Sequence, residues 1–134
     1  MAIPRPEPVT FGPLTPSDLV RYAGASGDFN PLHHDQAFAT GAGLPGVMAH
    51  GMLSAGILAS ALTAWFGPGS VRRYTVRFLS PVWPGDVLTA HCGSIDILPG
   101  EDGRQMIDVV LELRKGDGDV ALSGTARVLV ASAA

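Results

Sequence analysis

Val47-Met48-Ala49-His50-Gly51-Met52-Leu53-Ser54-Ala55-Gly56-Ile57-Leu58-Ala59-Ser60-Ala61-Leu62-Thr63-Ala64-Trp65-Phe66 is the stretch on which the fold turns. No Asp, Glu, Lys or Arg interrupts it, and the uncharged run extends over residues 36–71. Its length suffices to span a bilayer. Against a membrane span stand His50, Gly51, Ser54, Gly56, Ser60 and Thr63, the alanine-sized side chains, and the lack of a basic cluster ahead of it. A helix without charge on any side is, in a soluble protein, one enclosed by other structure. The reading is a central buried helix over about 51–66, stopped by Gly67-Pro68-Gly69.

Downstream of that helix the period changes. Tyr74, Val76 and Phe78 alternate with Arg73, Thr75 and Arg77, which predicts a half-buried strand with the first three inward. Residues 81–86 form a turn, and further strands follow over 87–98, 105–114 and 120–130. Ile107, Val109, Leu111 and Leu113 are the inward set of the third, and Gly116-Asp117-Gly118-Asp119 closes the last hairpin. Upstream, Thr15-Pro16-Ser17-Asp18 is a capped helix start. That short helix runs to about Ala25, with Leu19, Tyr22, Ala23 and Ser26 on one face, and Gly27 ends it. Residues 28–31 are an irregular loop, residues 41–46 hold no long regular element, and a short strand lies within 9–14. The sum is an α+β pattern, one domain over residues 1–134 whose antiparallel sheet, about 71–130, folds around one apolar helix.

Composition fits that picture. With 134 residues, 46% apolar and 16% charged, the chain holds one well-buried domain. Nine basic against 12 acidic residues, a formal charge of -3, leave no footprint for nucleic acid or an anionic membrane. Lone Cys92 cannot close an intrachain disulfide and reads as a small buried apolar residue. The start MAIPRPEP shows neither a basic leader nor an apolar signal core, so the expected compartment is the cytoplasm.

Gly27-Asp28-Phe29-Asn30-Pro31-Leu32-His33-His34-Asp35 is the densest polar cluster, and it sits in a loop. The run from Ala25 to His33 resembles the signature of the (R)-specific enoyl-CoA hydratases, the MaoC-like dehydratases. That resemblance implies Asp28 and His33 as the catalytic pair and the hotdog fold, a long helix wrapped by an antiparallel sheet. Ala49-His50-Gly51-Met52 is similar to the family's helix start, which implies the Gly51 amide as oxyanion donor. Similarity continues through the segment from Val76 to Asp86 and through Ser123-Gly124-Thr125-Ala126, so it covers nearly the whole chain.

The chemistry of hydration asks for those residue types. Adding water across a double bond conjugated to a thioester needs a base, a proton source for the α-carbon and a donor for the enolate-like oxygen. A carboxylate and an imidazole sharing one water meet the first two needs, and a helix N-terminus favours the developing negative charge. At Gly51 the missing Cβ also admits a close approach of the carbonyl. Asn30 would orient Asp28 or the water through its amide, and Pro31 would stiffen the loop. Arg72, Arg73 and Arg77 are candidate grips for phosphates, or simply charges on the outer face of a strand.

Plainer uses compete with these. Asp28 after Gly27 is also a common turn residue, and His33 could be a loop histidine. Asp28, His33, His34 and Asp35 offer metal-ligand chemistry without a defined ligand spacing, and no metal is expected. His34 reads as a structural neighbour, and His50 as packing or capping at the helix entrance.

The resulting expectation is a hydratase or dehydratase interconverting a trans-2-enoyl thioester and, by family analogy, its (R)-3-hydroxyacyl form through syn addition of water. No cofactor is required beyond the coenzyme A or carrier-protein arm of the substrate. An unpaired sheet edge invites association, so a homodimer, or a heterodimer with a related silent subunit, is expected. Three other readings stay open: a dehydratase subunit acting on carrier-protein thioesters in fatty-acid elongation, a hotdog thioesterase, and a non-catalytic partner. The absence of any carboxylate over 36–71 speaks against the thioesterase.

Overall fold

The structure, a computed structural model, describes residues 3–130. Residues 1–2 and 131–134, at the two ends of the domain expected over 1–134, lie outside the described residues. Strand β1 (Val9–Phe11) leads into helix α1 (Pro16–Ser26). A single 3₁₀ turn (Pro31–His33) and helix α2 (Gln36–Gly41) precede the central helix α3 (Gly51–Phe66). Strands β2 (Val71–Phe78), β3 (Leu88–Glu101), β4 (Arg104–Lys115) and β5 (Val120–Val130) complete the chain. They form one five-stranded antiparallel sheet in the order β1-β3-β4-β5-β2.

Alternation along the strands builds the core. Ile107, Val109, Leu111 and Leu113 of β4 are all buried, as the period of two requires, and Ala121, Leu122, Ala126 and Val128 of β5 join them. Ala55, Leu58, Ala61 and Leu62 of α3 fill the other side of this core. Tyr74 fastens the edge strand to the helix, its hydroxyl donating to the Ala55 carbonyl at 2.7 Å. Burial pushes that phenol up to about 12.

α1 starts on the expected capping box. The Thr15 hydroxyl accepts from Asp18 N–H at 3.2 Å, and the Asp18 carboxylate accepts from Thr15 N–H at 2.8 Å. The latter bond, first among its causes, holds the Asp18 carboxyl below the ordinary range. Gly27 closes the helix at φ 75°, in the left-handed region that costs glycine little.

Two expectations need correction and one needs qualifying. α3 is not enclosed on every side: the sheet curls around one face only, leaving Met52 62% exposed and Gly56, Ser60, Thr63 and Ala64 in solvent. Phe78 shares the helix-facing side of β2 with Tyr74 and Val76, its ring beside Gly51, yet it is 52% exposed, at the last residue of the strand. Ser26 is exposed rather than on the packed face of α1, and its Oγ accepts from Asp28 N–H at 3.2 Å. The 3₁₀ turn and α2 are additions to the sequence reading. Among the described residues no helix is long and apolar enough to cross a membrane.

Candidate active site

Gly27 reverses the chain and sends Asp28 back toward the start of α3. Three hydrogen bonds then fix Asp28: its N–H donates to Ser26 Oγ, its Oδ1 accepts from Asn30 N–H at 3.2 Å, and its carbonyl accepts from His50 Nε2 at 3.0 Å. Oδ2 is left facing His33 Nε2 at 4.0 Å. The carboxylate is half exposed, whereas the His33 side chain retains only 12% of its exposure.

The ring of His33 is oriented from behind. Nδ1 lies 2.7 Å from the Met48 carbonyl, which can only accept, so Nδ1 carries a proton and Nε2 is the nitrogen turned toward Asp28. By the same logic His50 Nε2 is protonated toward the Asp28 carbonyl. Its Nδ1 is buried without a partner among the described residues. The two imidazoles stack with centroids 3.7 Å apart and planes 22° apart, and Tyr22 meets His50 edge-on at 4.9 Å.

A gap of 4.0 Å is too long for a direct hydrogen bond and suits a bridging water. An oxygen at ~2.8 Å from both atoms would be held at roughly a right angle between them. Pro31 opens the 3₁₀ turn that carries His33, as a fixed φ favours, and Asn30 caps that turn by accepting from Leu32 N–H at 3.1 Å. The side-chain oxygen of Asn30 is thus spent on the turn. Asn30 orients Asp28 through its backbone N–H, and among the described residues its side-chain amide makes no bond to Asp28.

Gly51 is the first residue of α3, preceded by His50 as a cap whose side chain makes no capping bond. The N–H groups of Gly51 and Met52 find no acceptor among the described residues, whereas those of Leu53 and Ser54 reach the His50 carbonyl. Gly51 lines an open cleft of about 350 Å³ with Met48, Ser54, Phe78, Leu79 and Val82. A Cβ on Gly51 would stand 3.0 Å from the Phe78 ring and crowd the cleft mouth.

Asp28, His33 and His50 each offer a ligand atom within 4.8 Å of the others, a grouping in which His50 replaces the His34 and Asp35 considered from sequence. Hydrogen bonds to carbonyls occupy one nitrogen of each ring, leaving His33 Nε2 and His50 Nδ1. His34 donates to the Phe29 carbonyl at 3.0 Å, and Asp35 caps α2 through Phe38 N–H at 3.1 Å, so both are structural.

The three arginines do not join this group. Arg72 donates to the Gly69 carbonyl at 2.6 Å. Arg73 lies on the outer face of the sheet with Asp96, Asp108 and Arg127. There Arg127 grips Asp108 through two bonds of 2.9 and 3.0 Å, which, ahead of the neighbouring charges, holds the Asp108 carboxyl below its ordinary range. Arg77 is exposed and has no hydrogen-bond or ion-pair partner among the described residues. Cys92 is buried, as expected, and burial pushes its thiol up.

Sequence reasoning placed Asp28, His33 and Gly51 but left His50 as packing. The partner that reveals its position is the backbone carbonyl of Asp28, which carries no residue-type signal.

The unliganded R-hydratase of Pseudomonas aeruginosa superposes with a TM-score of 0.80 at 27% identity, over 95% of this chain and 80% of that one. Over 117 residues the chain is 34% identical to the fatty acid synthase subunit beta of Saccharomyces cerevisiae, covering 85% of this chain but only 6% of the yeast protein. It is 32% identical over 119 residues to the 3-hydroxybutyryl-CoA dehydratase of Methylorubrum extorquens, with 87% of this chain and 73% of that protein covered. The family described as the MaoC like domain matches residues 4–114. The sheet wrapped on α3 is the hotdog fold of these relatives, and the chain belongs to the MaoC-like dehydratase family.

Proposed function

We propose that this protein interconverts a trans-2-enoyl thioester, carried on coenzyme A, and the (R)-3-hydroxyacyl thioester by syn addition of water. The observation that carries the reading is the 4.0 Å gap between Asp28 Oδ2 and Nε2 of His33, a ring whose other nitrogen is turned to the Met48 carbonyl. A water held there adds its oxygen to C3 while one of its protons moves onto the pair. The pair then returns a proton to C2, so that it is restored and the net change is one H–OH added. Gly51 N–H, free at the dipole-positive end of α3, receives the thioester oxygen as it gathers enolate charge. Asn30 and Pro31 support the pair by holding the loop and the turn. Arg77 is the arginine we assign to coenzyme A phosphates, since Arg72 is engaged by Gly69 and Arg73 lies beside the Asp108–Arg127 pair.

The match to a fatty acid synthase subunit favours one second reading, the same dehydration on a carrier-protein thioester. The two readings share every residue named above and differ only in what holds the thioester arm. The exposed Met52, Phe78 and Leu79, next to the edge strand β2, support a dimer of this chain or a pair with a related subunit. Light scattering of the purified protein at several concentrations tests that pairing.

The decisive assay follows the absorbance of the conjugated enoyl thioester. Asp28→Asn and His33→Ala should each lower kcat by on the order of a hundredfold to ten-thousandfold while leaving the thermal midpoint unchanged. Turnover by Asp28→Asn at the parent rate would sink the mechanism. Running coenzyme A and carrier-protein thioesters side by side separates the two readings.

A further inference from the structure

We infer that His50 is the positioning residue that locks Asp28, His33 and Gly51 into one unit. The inference rests on the hydration chemistry proposed above. His50 is 2% exposed, so its ring is fixed by packing on all sides. Three contacts give that fixity direction. Its Nε2–H holds the Asp28 carbonyl at 3.0 Å, its face lies on the His33 ring at 3.7 Å, and its own backbone leads directly into Gly51 as the cap of α3. One side chain thereby ties the carboxylate loop, the imidazole and the amide to the same point.

The cost of this arrangement argues that it is used. His50 Nδ1 is buried with no partner among the described residues, a penalty that an apolar side chain of similar size would avoid. A residue whose task was packing alone would have no reason to keep that orphaned nitrogen. The donor at Nε2 explains it: the Asp28 carbonyl needs a partner that reaches across 22 residues of sequence. In this arrangement Nε2 of His50 is spent on the carbonyl, its ring face on His33, and its Nδ1 is buried, so the ring backs the pair rather than presenting a group of its own. It acts through the other two side chains.

Two substitutions isolate the donor. His50→Leu removes both donor and ring, whereas His50→Gln places an amide nitrogen near the former Nε2 and keeps the bond to Asp28. With an enoyl-CoA substrate, His50→Leu should lower kcat by on the order of tenfold to a hundredfold, the scale of a displaced catalytic group, with KM changed by about twofold or less. His50→Gln should recover at least about threefold of that kcat. If the Leu variant does not fold, His50→Asn, whose amide falls short of the Nε2 position, takes its place against Gln. Parent-like kcat in the Leu or Asn variant overturns the inference, as does a loss confined to KM or a Gln variant no better than the one lacking the donor. Asp28→Asn run in parallel separates the failures: if it is inactive while His50→Leu is fully active, only the role of His50 falls. If Asp28→Asn is itself active, the hydration reading falls.

Discussion

Residues 15–48 and residues 51–130 are held by different forces. In the first segment the buried apolar side chains are Leu19, Ala23 and Ala39. Its shape is set by short-range polar bonds: the Thr15–Asp18 box, Ser26 on Asp28, Asn30 on Leu32, Asp35 on Phe38, and Gln36 Oε1 on Val47 N–H. In the second segment Leu58, Leu62, Leu88, Ile107, Leu111 and Leu113 have no exposure at all. A hydrogen bond contributes about 1 kcal/mol net and has direction, whereas a buried leucine contributes about 1.5–3 kcal/mol and has almost none. The proposed catalytic pair sits where direction is set, and the stability where volume is filled.

The strongest way to break this contrast is to empty the core. Leu111→Ala should cost about 2–5 kcal/mol, read as a lower denaturant midpoint with an unchanged slope. Both segments should unfold together, since the first has too little apolar burial to stand alone. A smaller loss than that of any cap variant would reverse the ranking of the two forces.

Cap removal sharpens the contrast from the other side. Thr15→Ala should cost about 0.5–2 kcal/mol. Amide exchange should show where the loss falls: protection should drop across Pro16–Ser26 and stay at the parent level in β4. Uniform loss across the chain would mean that α1 is coupled to the core as tightly as the strands are to each other.

The same division explains what was legible in the sequence. Period-two runs have a large driving force behind them, and the strand over 120–130 stands as Val120–Val130 in the structure. The central helix was bounded by Gly51 and Gly67, and both limits hold. The 3₁₀ turn and α2 were missed because neither carries an apolar stripe. Their signals were the lone caps Asn30 and Asp35, which look like ordinary loop residues until their N–H partners are in view. The exposure of Phe78 and Met52 was not legible because apolar pattern does not say whether anything covers a side chain. At the site, Asp28, His33 and Gly51 came from a motif, whereas His50 needed coordinates to show its bond to a carbonyl 22 residues away.

Tyr74 joins the two kinds of force and gives the smallest effect with the clearest signature. Its ring belongs to the core side of β2, yet its hydroxyl makes a directed bond to Ala55 in α3. At neutral pH, Tyr74→Phe should cost about 0.5–1.5 kcal/mol, one hydrogen bond to a carbonyl that the helix already engages. The pH dependence is more telling. Burial raises the phenol from 10.0 to about 12 in the folded chain, so the folded state keeps its proton where the unfolded state has lost it. The resulting stability is fully present below the unfolded value and drains away as the pH climbs from 10.0 toward about 12. The parent should therefore lose stability faster than Tyr74→Phe across that window, while Tyr22, common to both, cancels. Parallel curves in denaturant titrations at pH 8 and pH 11 would show that the phenol is open to water, and that the edge strand is fastened to the helix by packing alone.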